Sequence, residues 1–311
     1  MRARLGTVNV AGLTAALALA LAHPGKPPEP HDLWTSWTFD PAVIVLLAVG
    51  ASAYARGMHV LWRRGAPGGG GRRGVRRWQA TAMAAGLGSL AVALISPLDA
   101  LAEALLSAHM VQHLLLMLVA APLLAAARPL QAVLWALPAA ERLTVGRWWN
   151  RSTGVRTTAR ALTHPLVAWT LHSLALWVWH APGPYDAAVR HDALHALEHA
   201  SFFGTAMLFW WPIMDAAHHR PATAGLQALS VFTVAMQSTV LGALLTLSHA
   251  TWYTAHLATT GPWGLSPAED QQLAGAIMWV PGSGAYLFAV AILARRWLRT
   301  PSRAAAALAT R

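Results

Sequence analysis

Ser107-Ala-His109-Met-Val-Gln-His113-Leu-Leu-Leu-Met-Leu-Val-Ala-Ala-Pro122 is apolar enough to sit in a bilayer, yet it carries two histidines. They are one helical turn apart, so on a helix both fall on one face. A second helix-like stretch answers with His191, His195 and His199. Ionisable side chains inside a membrane span are costly and mark a functional site by default. The rest of the chain reads as a frame that holds these two stretches together.

The 311 residues are 56% hydrophobic and 11% charged, against about 25% charged in an ordinary soluble domain. Mean hydropathy is +0.42. Those values specify an all-α, polytopic transmembrane helical bundle. The formal charge of +11 comes from 22 arginines and one lysine. In a soluble protein such an excess points to nucleic acid. Here the arginines fall in alternate loops, the signature of membrane orientation, so no nucleic-acid partner is expected. Without cysteine there is no disulfide and no thiolate metal site. A bound metal would have to use histidine, methionine, carboxylate or water.

Residues 1–22 carry Arg2 and Arg4 ahead of an apolar run. They read as a signal peptide or as an extra N-terminal helix, and both place the segment 23–40 outside. Spans are expected at 41–62, 79–96, 103–126, 163–181, 190–213, 225–248 and 270–294, within a bundle covering 41–297 and followed by a tail at 298–311. Pro97-Leu98-Asp99 is expected to be a short outer turn, and Pro182-Gly183-Pro184 to stop the fourth span. Gly68–Gly71 is a linker by composition, since it lacks the ending of a phosphate loop. Leu130–Leu143 suggests an interfacial amphipathic helix. Arginine crowds the loops at 63–77, 127–162, 215–224 and 295–311, whereas the alternate loops hold Lys26 and Arg190. The arginine-rich side is therefore expected to be cytoplasmic. The expected topology is seven spans, or eight with the leader retained, with the mature N-terminus outside and the C-terminus inside.

On this topology His109, His113, His195 and His199 lie at similar depth on the outer side. His191 is a turn above, His180 is at the outer end of the fourth span, and His172 lies deeper. His249 and His256 are also on the outer side; His218 and His219 read as solvated loop residues. Two imidazoles one turn apart on each of two helices can surround one cation, and neutral imidazole binds copper, zinc or iron. Met110, Met117, Met236 and Met278 could add thioethers, which would favour cuprous copper. Glu198 beside the second pair is a ligand or an orienter. Asp270 and Gln271 open the seventh span on the same side, and Asp186 and Asp192 are close enough in sequence to join the polar patch.

A hydrogen-bonded polar network without metal is the competing account of buried histidines, and core packing is that of the methionines. His195-Ala-Leu-Glu198-His199 also fits the inverted zinc-protease motif, which histidine-rich helices match readily. Membrane di-iron enzymes need more histidine boxes. A b-type haem between histidines of neighbouring spans is a stronger rival. A copper permease would need a polar path through the inner half of the membrane. Leu114–Pro122 and Phe202–Pro212 are apolar there.

The chain resembles the seven-span cytochrome c oxidase assembly proteins called CtaG, of the caa3-oxidase type. The resemblance rests on Ser107-Ala-His-Met-Val-Gln-His-Leu-Leu-Leu-Met117, Trp179-His-Ala-Pro-Gly-Pro-Tyr-Asp186, His195-Ala-Leu-Glu-His199, Phe209-Trp-Trp-Pro212 and Asp270-Gln-Gln-Leu-Ala-Gly-Ala-Ile-Met-Trp279. It implies a non-enzymatic bacterial plasma-membrane protein that helps assemble a haem–copper oxidase, with oxidase subunits as partners and copper handled on the outer side. A one-span copper protein with cysteine ligands shares the CtaG name; this cysteine-free chain is not of that type.

Overall fold

The computed structural model describes residues 27–64, 75–214 and 221–299. The leader at 1–22, the Gly68–Gly71 linker, His218, His219 and residues 300–311 of the tail lie outside that range. Among the described residues the chain is helical, with no strand. The helices are α1 Pro41–Arg64, α2 Arg77–Leu94, α3 Pro97–Ala104, α4 Leu106–Ala126, α5 Pro129–Ala136, α6 Ala139–Arg151, α7 Thr153–Leu162, α8 Pro165–Trp179, α9 Pro182–Arg190, α10 Asp192–Met214, α11 Pro221–Leu247 and α12 Pro267–Leu298.

Each stretch expected to span is helical over most of its length. Four helical segments, Pro41–Arg63, Leu106–Ala126, Ala224–Leu247 and Pro267–Leu298, are each long and apolar enough to cross a membrane. The pair α2–α3, bent by 44°, makes a fifth if taken as one span, and α8 is a shorter apolar helix. These helices mark a membrane protein.

Several turns differ from expectation for local reasons. Pro97-Leu98-Asp99 opens α3 instead of forming a loop. The Ser96 hydroxyl accepts from the Leu98 N–H, proline occupies the first turn and Asp99 faces the positive helix end. Pro182-Gly183-Pro184 does follow the end of α8, but Pro182 then starts α9. The third expected span breaks at Leu105, which is extended (φ −130°, ψ 129°) between α3 and α4. The Leu130–Leu143 helix is interrupted at Leu137, extended ahead of Pro138. Its first part, α5, packs on α1, whereas α6 and α7 have no buried residue.

α4 is the axis of the bundle. One of its faces, with Leu106, Met110, Met117, Ala121 and Ala125, joins a core built with α8, α10, α11 and α12. The other, with Leu116, Ala120 and Leu124, joins a core built with α1, α2 and α5. A helix buried on both faces has to be apolar all round, and α4 is nearly so. It widens to a π turn over Leu115–Ala120, where the Ala121 N–H reaches back to the Leu116 carbonyl. The next donor would be Pro122, which has no N–H. The Met117 carbonyl left over accepts from the Trp210 indole at 3.0 Å. A second π turn, Met278–Gly282, contains Pro281.

α11 and α12 approach through reciprocal glycines. A Cβ on Gly242 would stand 2.7 Å from the Gly275 carbonyl oxygen, and one on Gly275 would stand 2.6 Å from that of Gly242. Small residues at such crossings let the two backbones pack directly. Gly275→Leu should therefore cost about 1–3 kcal/mol or more through overpacking, read as a lower melting temperature in mild detergent. Gly284→Leu, with nothing within 4 Å of its Cβ position, should leave that temperature close to wild type.

Candidate metal centre

The site begins at the N-terminus of α4, whose first N–H groups have no intrahelical acceptor. Leu105 precedes it and offers no capping oxygen. Asp270, in the first turn of α12 and fully buried, supplies both: Leu106 N–H donates to it at 2.7 Å and Ser107 N–H at 3.1 Å. One carboxylate thus serves two helix N-termini. The Ser266–Glu269 capping box sets the start of α12. A turn deeper, the Gln112 side chain donates to the Ala93 carbonyl at 2.7 Å and to Asp99 at 2.6 Å. These contacts fix the rotation of α4 about its axis, and with it the direction of His109 and His113.

α10 presents His195, Glu198 and His199 on one face, as their spacing requires. The rings of His109 and His195 are 5.3 Å apart, those of His109 and His199 5.9 Å, and those of His113 and His199 5.4 Å. Glu198, with no exposed surface, lies 3.4 Å from His109 Nε2 and 3.7 Å from His113 Nε2. One ligand atom from each of His109, His195, Glu198 and His199 lies within 4.8 Å of the others. The Nε2 atoms of His109, His113 and His199 and both Glu198 oxygens are buried without a hydrogen-bond partner. Native interiors rarely leave such groups unsatisfied unless an ion or a function uses them.

His180 borders the cluster, with its ring 6.4 Å from that of His113. Its Nδ1 is 2.6 Å from the Leu176 carbonyl, which can only accept. The proton is therefore on Nδ1, and the buried Nε2, which has no partner, carries a lone pair. His172 lies elsewhere: Thr205 and Tyr286 hydroxyls stand 3.2 Å from its two nitrogens, and Phe209 stacks on it. His191 is exposed at the end of α9. Met110, Met117 and Met278 are packed in the core, and Met236 is partly exposed. Asp270 is a helix cap. The groups that converge are imidazoles and a carboxylate, and this set contains no thioether to select cuprous copper.

The segment 249–266 and α9 form a cover. Tyr185, fully buried, meets the His109 ring edge-on at 5.2 Å and places its hydroxyl 2.8 Å from His256 Nε2. Tyr253 donates to the His180 carbonyl at 2.8 Å. Gln271 accepts from the Trp252 N–H at 2.7 Å, and Thr259 donates to the Ala104 carbonyl at 2.7 Å. Asp186 accepts from Thr254 N–H at 3.1 Å and Ala255 N–H at 3.0 Å. Burial alone would raise its pKa, but those bonds, the Thr254 hydroxyl and Arg190 hold it below the usual value.

Two cavities reach the cluster. One, about 260 Å³, touches Glu103, His109, Arg190, Asp192 and His195. The other, about 640 Å³, lies between α1, α2 and α10; its walls include Leu46, Leu87, Leu90 and Phe203, and His195 and His199 edge it.

The profile of the cytochrome c oxidase caa3 assembly factor family matches residues 52–300, from mid-α1 past the end of α12. The chain belongs to that family. Every residue of the cluster lies inside the matched range. This caa3 assembly-factor chain is also similar to an uncharacterized protein of Mycobacterium bovis and to one of Mycobacterium tuberculosis. Each is 27% identical over 295 residues, which cover 90% of this chain and 42% of the relative. The chain thus spans less than half the length of those relatives. No solved structure matches it.

Two outcomes follow for the frame of the site. Asp270→Ala strands the first amides of α4 in a buried place. It should cost about 1–3 kcal/mol, read as a lower melting temperature with fast hydrogen exchange confined to the start of α4. Burial lowers the pKa of His256 to about 4, against about 6.5 in an unfolded chain. Between these values the unfolded chain binds the extra proton, so stability falls as pH drops from about 6.5 toward about 4. The metal-free melting temperature should show that fall, and His256→Gln should make it shallower.

Proposed function

We propose that this assembly factor holds a copper ion as cargo at His109, His195, Glu198 and His199, and makes it available to a haem–copper oxidase under construction. His113 and His180 stand by as secondary ligands. The observation that carries the reading is the convergence of buried nitrogens and carboxylate oxygens without partners. Each would otherwise be a desolvation penalty of about 1–3 kcal/mol, and one cation satisfies them together. Imidazoles with a carboxylate suit a divalent ion, cupric copper first by the general affinity order and zinc second.

The role is binding and transfer, with no bond of a substrate made or broken. The topology we adopt is seven spans with the arginine-bearing end cytoplasmic and the histidine end outside. The plasma membrane of a bacterium and oxidase subunits as partners follow from the family reading. A b-type haem fits this site less well. It asks for imidazoles across a flat slot, whereas here the rings and Glu198 close on one small volume. His172, deeper in the bundle, already has partners on both nitrogens.

The protein purified in mild detergent, loaded with copper and desalted, should retain about one equivalent that His109→Ala plus His199→Ala abolishes. The helical circular-dichroism signal should be unchanged, because the variant removes groups that lack partners. Equal copper in wild type and variant would sink the assignment. Iron with a Soret band in place of copper would move the site to haem.

A further inference from the structure

The smaller cavity is more than a gap beside the cluster. It joins His109, 1% exposed, to the half-buried His195 and to the exposed Asp192 and Arg190. We propose that it is the port through which a divalent cation reaches and leaves the buried ligands, with Glu103 and Asp192 as its attracting carboxylates and His195 as the first imidazole met. This rests on the copper-holding reading of the cluster above.

Charge, solvation and geometry each support the port. The chain as a whole carries +11, which repels cations, so any cationic route needs local negative charge. Glu103 and Asp192 line this cavity. Arg190, which also lines it, stands 3.6 Å from Asp186 and donates to Thr254. With Asp186 included, the acidic charge around the mouth exceeds the basic. It is the field of these carboxylates, not any vacancy on them, that draws the ion. A cleft lined by one sign of charge raises association rates by about 10–10³, an effect that salt removes.

The other approaches suit an ion less well. The 640 Å³ cavity also touches Asp40, Asp99 and Asp192, but Asp40 is engaged by the Ala42 and Val43 amides and Asp99 by Gln112. Most of its remaining wall is leucine, alanine and phenylalanine, where a hydrated divalent ion loses water with little replacement. Toward the arginine-bearing end the cluster rests on Phe202, which has no exposed surface, and on the α4 core at Leu116 and Met117. Of the two cavities, the smaller one alone brings carboxylates to His109 as well as to His195. His195 lines both cavities as well as contributing to the cluster, which makes it the side chain placed to pass an ion inward.

The test is stopped-flow mixing of the full chain in mild detergent with cupric ion, read by tryptophan quenching at low and high ionic strength. His109→Ala plus His199→Ala supplies the background to subtract. Glu103→Gln plus Asp192→Asn should slow association at least about tenfold at low salt and flatten its salt dependence, while the copper retained at equilibrium stays at the wild-type value. A wild-type rate and salt dependence in that variant would overturn the port while leaving the cluster standing. A wild type that retains no copper above the double-alanine background would overturn the cluster itself. Should the double variant lose helical signal, Glu103→Gln alone, at the carboxylate that lines the smaller cavity and not the larger, carries the same comparison with a smaller slowing, about threefold by halving the logarithm of the effect.

Discussion

The carboxylate of Asp270 on the first amides of α4 is the contact on which the site depends. A helix end buried in a membrane protein has no water to satisfy its free N–H groups. Leu105 cannot do it, so the solution comes from another helix altogether. That solution has a geometric result. α12 is locked to α4 by its own first turn, and the depth of His109 and His113 is set relative to α12. Gln112, tied to Asp99 and Ala93, then sets the rotation. The histidine pair is thus held in depth and angle by polar contacts from α2, α3 and α12.

Near the cluster, several difficult polar groups have found partners. The Met117 carbonyl released by Pro122 has the Trp210 indole, and His172 has Thr205 and Tyr286. Asp186 has two backbone amides and a hydroxyl. A fold able to satisfy those groups nevertheless leaves Glu198 and several imidazole nitrogens facing one another. Removing the carboxylate or swapping histidine for leucine would be the cheaper way to pack this volume. The cost is sensible where a cation occupies the space.

Much of this was legible in the sequence, because membrane spans and helix faces follow from period and polarity alone. Hydropathy located the long apolar helices but not α6, α7 or α9, and the i, i+4 spacing placed His109 with His113 and His195 with His199. Glu198, one residue before His199, fell on the same face. Roles decided across the fold were not legible. Asp270 looks like a ligand beside a histidine-rich end; its partners are amides on a helix 164 residues away. His172 and His195 are both imidazoles in apolar helices; only the fold shows that His172 meets Thr205 and Tyr286 whereas His195 faces His109 and His199. Methionines at helical spacing read alike as core or ligand, and Met110, Met117 and Met278 proved to be core. Gln112 was in plain view within an apolar run, a signal that a buried amide needs named partners.

The packing of α1 has a further consequence. Its arginine-end half is anchored: Tyr54 places its hydroxyl 3.0 Å from the Ala127 carbonyl, and Gly57 lies directly against the Ala132 backbone. Its other half, with Val45, Leu46 and Val49 exposed, forms one wall of the large apolar cavity. With those side chains exposed, the wall is a single helix thick among the described residues. In a bilayer, the boundary of the space beside His195 and His199 is completed on that side by acyl chains.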